Sequence, residues 1–151
     1  MTLIGSGVHV LPERYMSYVE DVGQPAKRKI LDLVKKYEKS GVIIMSGDVH
    51  WSQIFHMGCE SYTGYDIPEV CSSGLTHVLD ENTYPGIDIL MEGHTPLIFK
   101  ESEIKMQHNF ATIDIKRRRL EKGKPSKVID VTANVRTFNN EPLFTRHFTV
   151  G

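Results

Sequence analysis

The chain has 151 residues, of which 40% are hydrophobic, 25% charged and 9% aromatic; this suits one globular domain with a core and excludes collagen, coiled coil and extended disorder. Its 18 Lys plus Arg against 19 Asp plus Glu leave a formal net charge of -1, so no global field draws it to nucleic acid or anionic lipid and any ligand needs a local site. No apolar run reaches the roughly 18 residues of a membrane helix.

Residues 2–10 (TLIGSGVHV) are small, apolar and β-branched, which predicts a buried strand running into a loop through Gly5 and Gly7. The first residues carry no basic stretch and no long apolar run, so they do not read as a signal peptide. Between Pro25 and Lys39 the apolar positions Ala26, Ile30, Leu33, Val34 and Tyr37 recur at three and four. With Pro25 as the first helical residue and Gly41 beyond the end, this predicts a helix. Val42-Ile43-Ile44-Met45 follows as a continuous apolar run, the pattern of a strand covered on both faces. Residues 2–45 thus form one β-α-β unit.

Beyond this point short β-like runs take over at 67–72, 87–91, 110–115, 128–133 and 143–150. Ala111, Ile113 and Ile115 alternate with Thr112 and Asp114; Phe144, Phe148 and Val150 alternate with Thr145, His147 and Thr149. Such alternation marks antiparallel sheet with one buried face. The predicted architecture is α/β, a mixed sheet followed by antiparallel strands, in one domain over 1–151 with no repeat and no linker.

Residues 116–127 hold seven of the 18 basic residues. They lie between two alternating runs and include Gly123 and Pro125, so they read as a solvated hairpin loop, and no nucleic-acid partner is expected. Cys59 and Cys71 are compatible with one disulfide or two thiols and leave the redox compartment open.

The stretch with most chemical content is Ser46-Gly47-Asp48-Val49-His50, placed where the strand 42–45 ends. Ligands of α/β sheets bind outside the carboxyl ends of strands. Gly47 is expected to make the sharp turn. Asp48 and His50, two apart, are then able to face one cavity, and a carboxylate with a neutral imidazole suits Fe, Mn or Zn. The same spacing also describes an ordinary turn with an Asp helping the backbone.

LIGSGVHVLPE (3–13), PAKRKILDLVKKY (25–37), IIMSGDVHWSQI (43–54), IPEVCSSGLTH (67–77) and NFATIDI (109–115) occur in an order that resembles the carboxy-terminal part of the alkaline phosphatase D-like metallophosphatases, over nearly the whole chain. SGDVHWS and SSGLTH are the most specific of these segments. The resemblance implies the calcineurin-like four-layer α/β/β/α sandwich and hydrolysis of small phosphate esters at a centre of divalent or mixed-valence ions, Fe, Mn, Zn or Ca. It makes Asp48 and His50 metal ligands and the catalytic residues. His9 occupies an earlier metal position or a polar position supporting the ligands. Ser72, Ser73, Thr76 and His77 sit on a loop; Ser73, Thr76 and His77 are the substrate-binding candidates, and a buried, hydrogen-bonded structural role is open for His77. Trp51 is a wall of the site or core, and Asn109 a turn or strand-edge residue.

Of the family's upstream metal motifs, no second Asp-x-His besides Asp48-Val49-His50, no Gly-Asp-x-x-Asp and no Gly-Asn-His-Asp/Glu occurs among residues 1–151. The resemblance therefore implies an absent amino-terminal half as the partner of this chain, and weak or no activity for the chain alone. The rival expectation is a noncatalytic β-rich interaction module that keeps the family's fold. Relatives of this type are often exported or membrane-associated.

Overall fold

The computed structural model describes residues 1–12, 23–57, 60–79, 104–119 and 125–151. In chain order the elements are β1 (Thr2–Gly5), α1 (Gly23–Lys36), β2 (Val42–Ser46), β3 (Ser52–Met57), α2 (Glu60–Thr63), β4 (Ile67–Ser72), β5 (Asn109–Arg119), β6 (Pro125–Thr137) and β7 (Pro142–Val150). The first four strands make a mixed sheet of order β1-β2-β4-β3 and the last three a meander β5-β6-β7.

β1 and β2 run parallel, Thr2 opposite Val42 and Ile4 opposite Ile44, with α1 between them in sequence, so the expected β-α-β unit is present. β2 also runs parallel to β4, and β3 returns antiparallel to β4. The fold is thus mixed α/β with one mixed and one antiparallel sheet. β5 to β7 pair antiparallel as expected.

The strand expected over 2–10 ends at Gly5. Ser6 N–H still donates to the Met45 carbonyl at 2.9 Å; farther on, Val10 and Leu11 donate their backbone N–H groups to the buried Glu69 carboxylate, Leu11 at 2.7 Å. Both side chains are nonetheless buried, which is why the whole run reads as apolar. β1 itself is largely exposed, as an edge strand.

Helix α1 starts two residues before Pro25, and its inward stripe is Lys27, Ile30, Leu31 and Val34. Leu33 and Tyr37, expected on that stripe, are 54% and 58% exposed. Lys27 fits an apolar interface by laying its stem along it and donating Nζ to the Leu11 carbonyl at 2.7 Å. Lys35 and Lys36 close the helix where cations complement its negative end.

The alternation in β2 divides the core. Val42 and Ile44 join Leu31, Val34, Val10, Leu11 and Ile67 under α1, while Ile43 joins Ile54 and Val70 against Val131, Ala133, Val135, Phe144 and Val150 of the second sheet. β2 is accordingly covered on both faces. This makes three layers among the described residues: helix, mixed sheet, antiparallel sheet. The far side of the second sheet is polar and hydrogen-bonded, Asn134 donating to Asp114 at 3.0 Å and accepting from Thr145 at 2.8 Å.

The described residues of the basic run, 116–119 and 125–127, are strand rather than loop: Lys116 and Arg117 pair opposite Asp130 and Ile129. Arg118 donates two hydrogen bonds to Asp130, at 2.8 and 2.7 Å, and holds that carboxyl below the usual carboxylate range. β3 and α2 are additions to the expected elements; Ser52 and Gln53 are both buried, and this breaks the apolar and polar alternation that reveals a strand. The run 87–91 lies outside the described residues.

Candidate functional site

Because β1, β2 and β4 are parallel, their carboxyl ends at Gly5, Ser46 and Ser72 lie along one edge of the sheet. Three loops leave that edge: 6–11 with His9, 47–51 with Asp48 and His50, and 73–79 with Ser73, Thr76 and His77. The strand order forces the second loop across the end of β4, since β2 and β3 flank that strand. All of the site residues expected from sequence are thereby gathered on one edge, by three segments far apart in the chain.

The loop 47–51 is tied to its neighbour by backbone bonds. Ser73 N–H donates to the Trp51 carbonyl at 3.1 Å and Leu79 N–H to the His50 carbonyl at 3.0 Å; His50 N–H donates to Ser73 Oγ at 3.2 Å. Ser52 and Lys105 exchange two backbone bonds of 2.9 Å. Gly74 is required where this loop meets β5, because a Cβ there would fall 2.1 Å from Asn109 Nδ2 and 2.8 Å from the Gln107 carbonyl.

The turn is not made by Gly47. It is made by Asp48 and His50, whose φ angles of 66° and 62° are both left-handed. Non-glycine residues held there store strain that clusters at functional sites. Asp48 is exposed and His50 half-buried. Among the described residues no hydrogen bond or ion pair engages the side chain of Asp48, His50 or His77, so their donor atoms are not committed to structure.

His50 and His77 meet edge to face, ring centroids 4.7 Å apart and planes at 72°. His77 is exposed, which removes the buried structural role. His9 is the converse: fully buried, in a loop beyond its strand, 6.0 Å from the Trp51 ring. Trp51 is core, packed with Val49 and Cys71 and donating Nε1–H to Gln53 at 3.4 Å. Thr76 is exposed on the same loop as His77. Cys71 is buried with its Sγ 3.8 Å from the Trp51 carbonyl; Cys59 lies outside the described residues. Among the described residues no group of three His, Cys, Asp or Glu side chains is close enough to hold a metal ion together.

A cavity of about 300 Å³ opens beside this edge, lined by Ser46, Ser72, Leu75, Asn109 and Phe110. Ser72 donates to Asn109 Oδ1 at 2.9 Å. The Ser46 hydroxyl is buried with no hydrogen-bond partner among the described residues. Asn109 is a strand-edge residue as expected, and it also lines the cavity. Neither Ser46 nor Asn109 was expected to line a site, since a serine ending a strand and an asparagine starting one carry no binding signal until the sheets face each other. A larger cavity, about 450 Å³, lies at the opposite edge near Gly41, with the pair His56 and Asp66 at 3.0 Å and Arg146 in its wall. Size favours that cavity; the strained backbone and uncommitted donors favour the carboxyl edge, and chemistry outweighs volume in locating a site.

No helix among the described residues is long and apolar enough to cross a membrane. Comparison with protein-family models, with curated proteins and with solved structures finds no match to this chain.

Proposed function

We propose that the carboxyl edge of β1, β2 and β4 is part of a metal-dependent site for the hydrolysis of phosphate esters, of the alkaline phosphatase D type. The observation that carries this is the pair Asp48 and His50, held on left-handed backbone at the tip of β2 with neither side chain hydrogen-bonded or ion-paired to another described residue. Strain of this kind persists where a side chain must point at a ligand.

The donor set fits an ion: one carboxylate and imidazole nitrogen are what Fe, Mn and Zn take, with Ca favouring the oxygen donors. Asp48 and His50 would hold it. A bound ion supplies Lewis acidity and a water of lowered pKa, which offsets the repulsion between an anionic nucleophile and the ester oxygens. Ser73 keeps its O–H free to donate while its oxygen accepts from His50 N–H, so it can hold a phosphate oxygen, with Thr76 on the same loop. Trp51 and Val49, both buried, wall the site from below. The ester's organic group has room in the cavity beside Ser46 and Asn109.

Since no three donors cluster among the described residues, further ligands are proposed to come from sequence preceding this chain, completing the four-layer sandwich and supplying the missing motifs. The test is to express the chain alone and joined to the sequence upstream in its gene, to measure bound Fe, Mn, Zn and Ca, and to assay nitrophenyl phosphate mono- and diesters. Metal and turnover in the longer protein, both lost in Asp48→Asn and His50→Ala, are expected. A longer protein that binds no metal and turns over neither ester would instead be the noncatalytic module.

A further inference from the structure

We infer that the space between the two sheets at the amino end of β2 is a second binding site, for a small uncharged aromatic molecule that carries a hydroxyl and a carbonyl. The cavity there holds about 450 Å³, within the roughly 300–1,000 Å³ of pockets that enclose small organic ligands. Packed interiors leave few voids larger than a water molecule. Its walls are the inner faces of both sheets, with Ile43 and Ile54 on one and Phe148 and Val150 on the other. Two ionisable side chains stand on these faces, where alternation calls for apolar ones. His56 follows Ile54 by two on β3, and Arg146 lies between Phe144 and Phe148 on β7, opposite the buried Ala133.

Asp66 sets the chemistry of His56. A carboxylate only accepts, so the 3.0 Å contact between Nδ1 and Asp66 Oδ2 puts the ring proton on Nδ1. Nε2 of the neutral ring is then an acceptor, and no hydrogen bond among the described residues engages it. It suits a hydroxyl that donates. Arg146 makes the opposite demand, because a guanidinium has donors and no acceptor; its Nη1 donates to the Thr145 carbonyl at 3.1 Å, which helps hold the group in place. It suits a carbonyl oxygen. Two other polar side chains of the wall are committed elsewhere: Tyr65 donates to the Lys39 carbonyl and accepts from Val42 N–H, and His147 Nδ1 is bonded to Thr132 Oγ1 at 3.0 Å. Asp66 and Arg146 carry opposite single charges, so a ligand with no net charge leaves the cavity balanced, whereas a charged one is buried without a counter-ion. The apolar walls between these two groups suit an aromatic ring.

The probe is 4-hydroxyphenylacetamide, titrated into the 151-residue chain and followed by NMR and calorimetry. Saturable binding is expected, with the ring protons of His56 shifting and those of His50 and His77 unmoved, which keeps this site separate from the carboxyl edge. Phenylacetamide, lacking the hydroxyl, and 4-hydroxyphenylacetate, bearing a charge, are each expected to bind roughly 10-fold more weakly. His56→Phe and Arg146→Met should weaken the amide by a similar factor, each variant first being checked to melt as a folded protein. Where a variant does not fold, the three ligands on the parent chain decide. No saturable binding up to about 10 mM, binding that leaves the His56 ring unmoved, or affinity indifferent to the hydroxyl overturns the inference. A carboxylate that binds more tightly than the amide overturns the uncharged class of ligand.

Discussion

Asp48 and His50 occupy a backbone conformation that costs ordinary side chains roughly 1–3 kcal/mol each. Asp, Asn and His tolerate it best, and β-branched residues worst. His50→Asn should therefore be nearly neutral in urea unfolding, whereas His50→Val should lose about 1–3 kcal/mol more than the Asn variant. Equal stability of the two would show that the turn relaxes and that the strain is not stored. The place of the two residues was legible in sequence, because Asp-x-His follows directly on an apolar run that forms β2. The conformation of the turn was not: the sequence points to Gly47 as the residue of free conformation, while the left-handed angles fall on Asp48 and His50 themselves.

The β-α-β element depends on a group that no periodicity announces. Glu69 stands fully buried on β4 and accepts the N–H groups of Val10 and Leu11, which holds the end of the His9 loop under α1. Lys27 completes the clasp by donating to the Leu11 carbonyl. Glu69→Ala leaves two buried N–H groups without their acceptor and is expected to cost about 2–4 kcal/mol, with Glu69→Gln costing less because one acceptor oxygen remains. Amide hydrogen exchange at Val10 and Leu11 should accelerate in the Ala variant more than exchange in β6. A uniform change across the protein would mean that the clasp is not local. At this scale the helix, β2, β4 and the antiparallel meander were readable, since each shows its period over enough residues. β3 was not, because Ser52 and Gln53 are buried polar residues that break the alternation.

For the whole molecule, the organising residue is Ile43. Its neighbours Val42 and Ile44 belong to the helix layer, while Ile43 belongs to the core between the sheets. One strand therefore couples both layers, and the two sheets should unfold together. Ile43→Ala is expected to destabilise by about 2–5 kcal/mol through lost burial and a residual cavity. Circular dichroism and hydrogen exchange in β2 and in β6 should report one coincident transition. Two separable transitions would show that the sheets are independent units.

Composition and period by themselves determined that this chain is a mixed α/β domain with a β-α-β start and an antiparallel end, because burial writes itself into sequence wherever a face repeats every two or 3.6 residues. They also placed Asp48 and His50 at a strand tip. Only the tertiary structure decided the partners of that tip. The parallel order β1-β2-β4 carries residues 9, 48 to 50 and 73 to 79 to a single edge, and the path of loop 47–51 over β4 sets His50 against His77 while it seals His9 beneath Trp51. Contacts between segments distant in the chain follow from strand order and loop path, and those are properties of packing that no local spacing of residues contains.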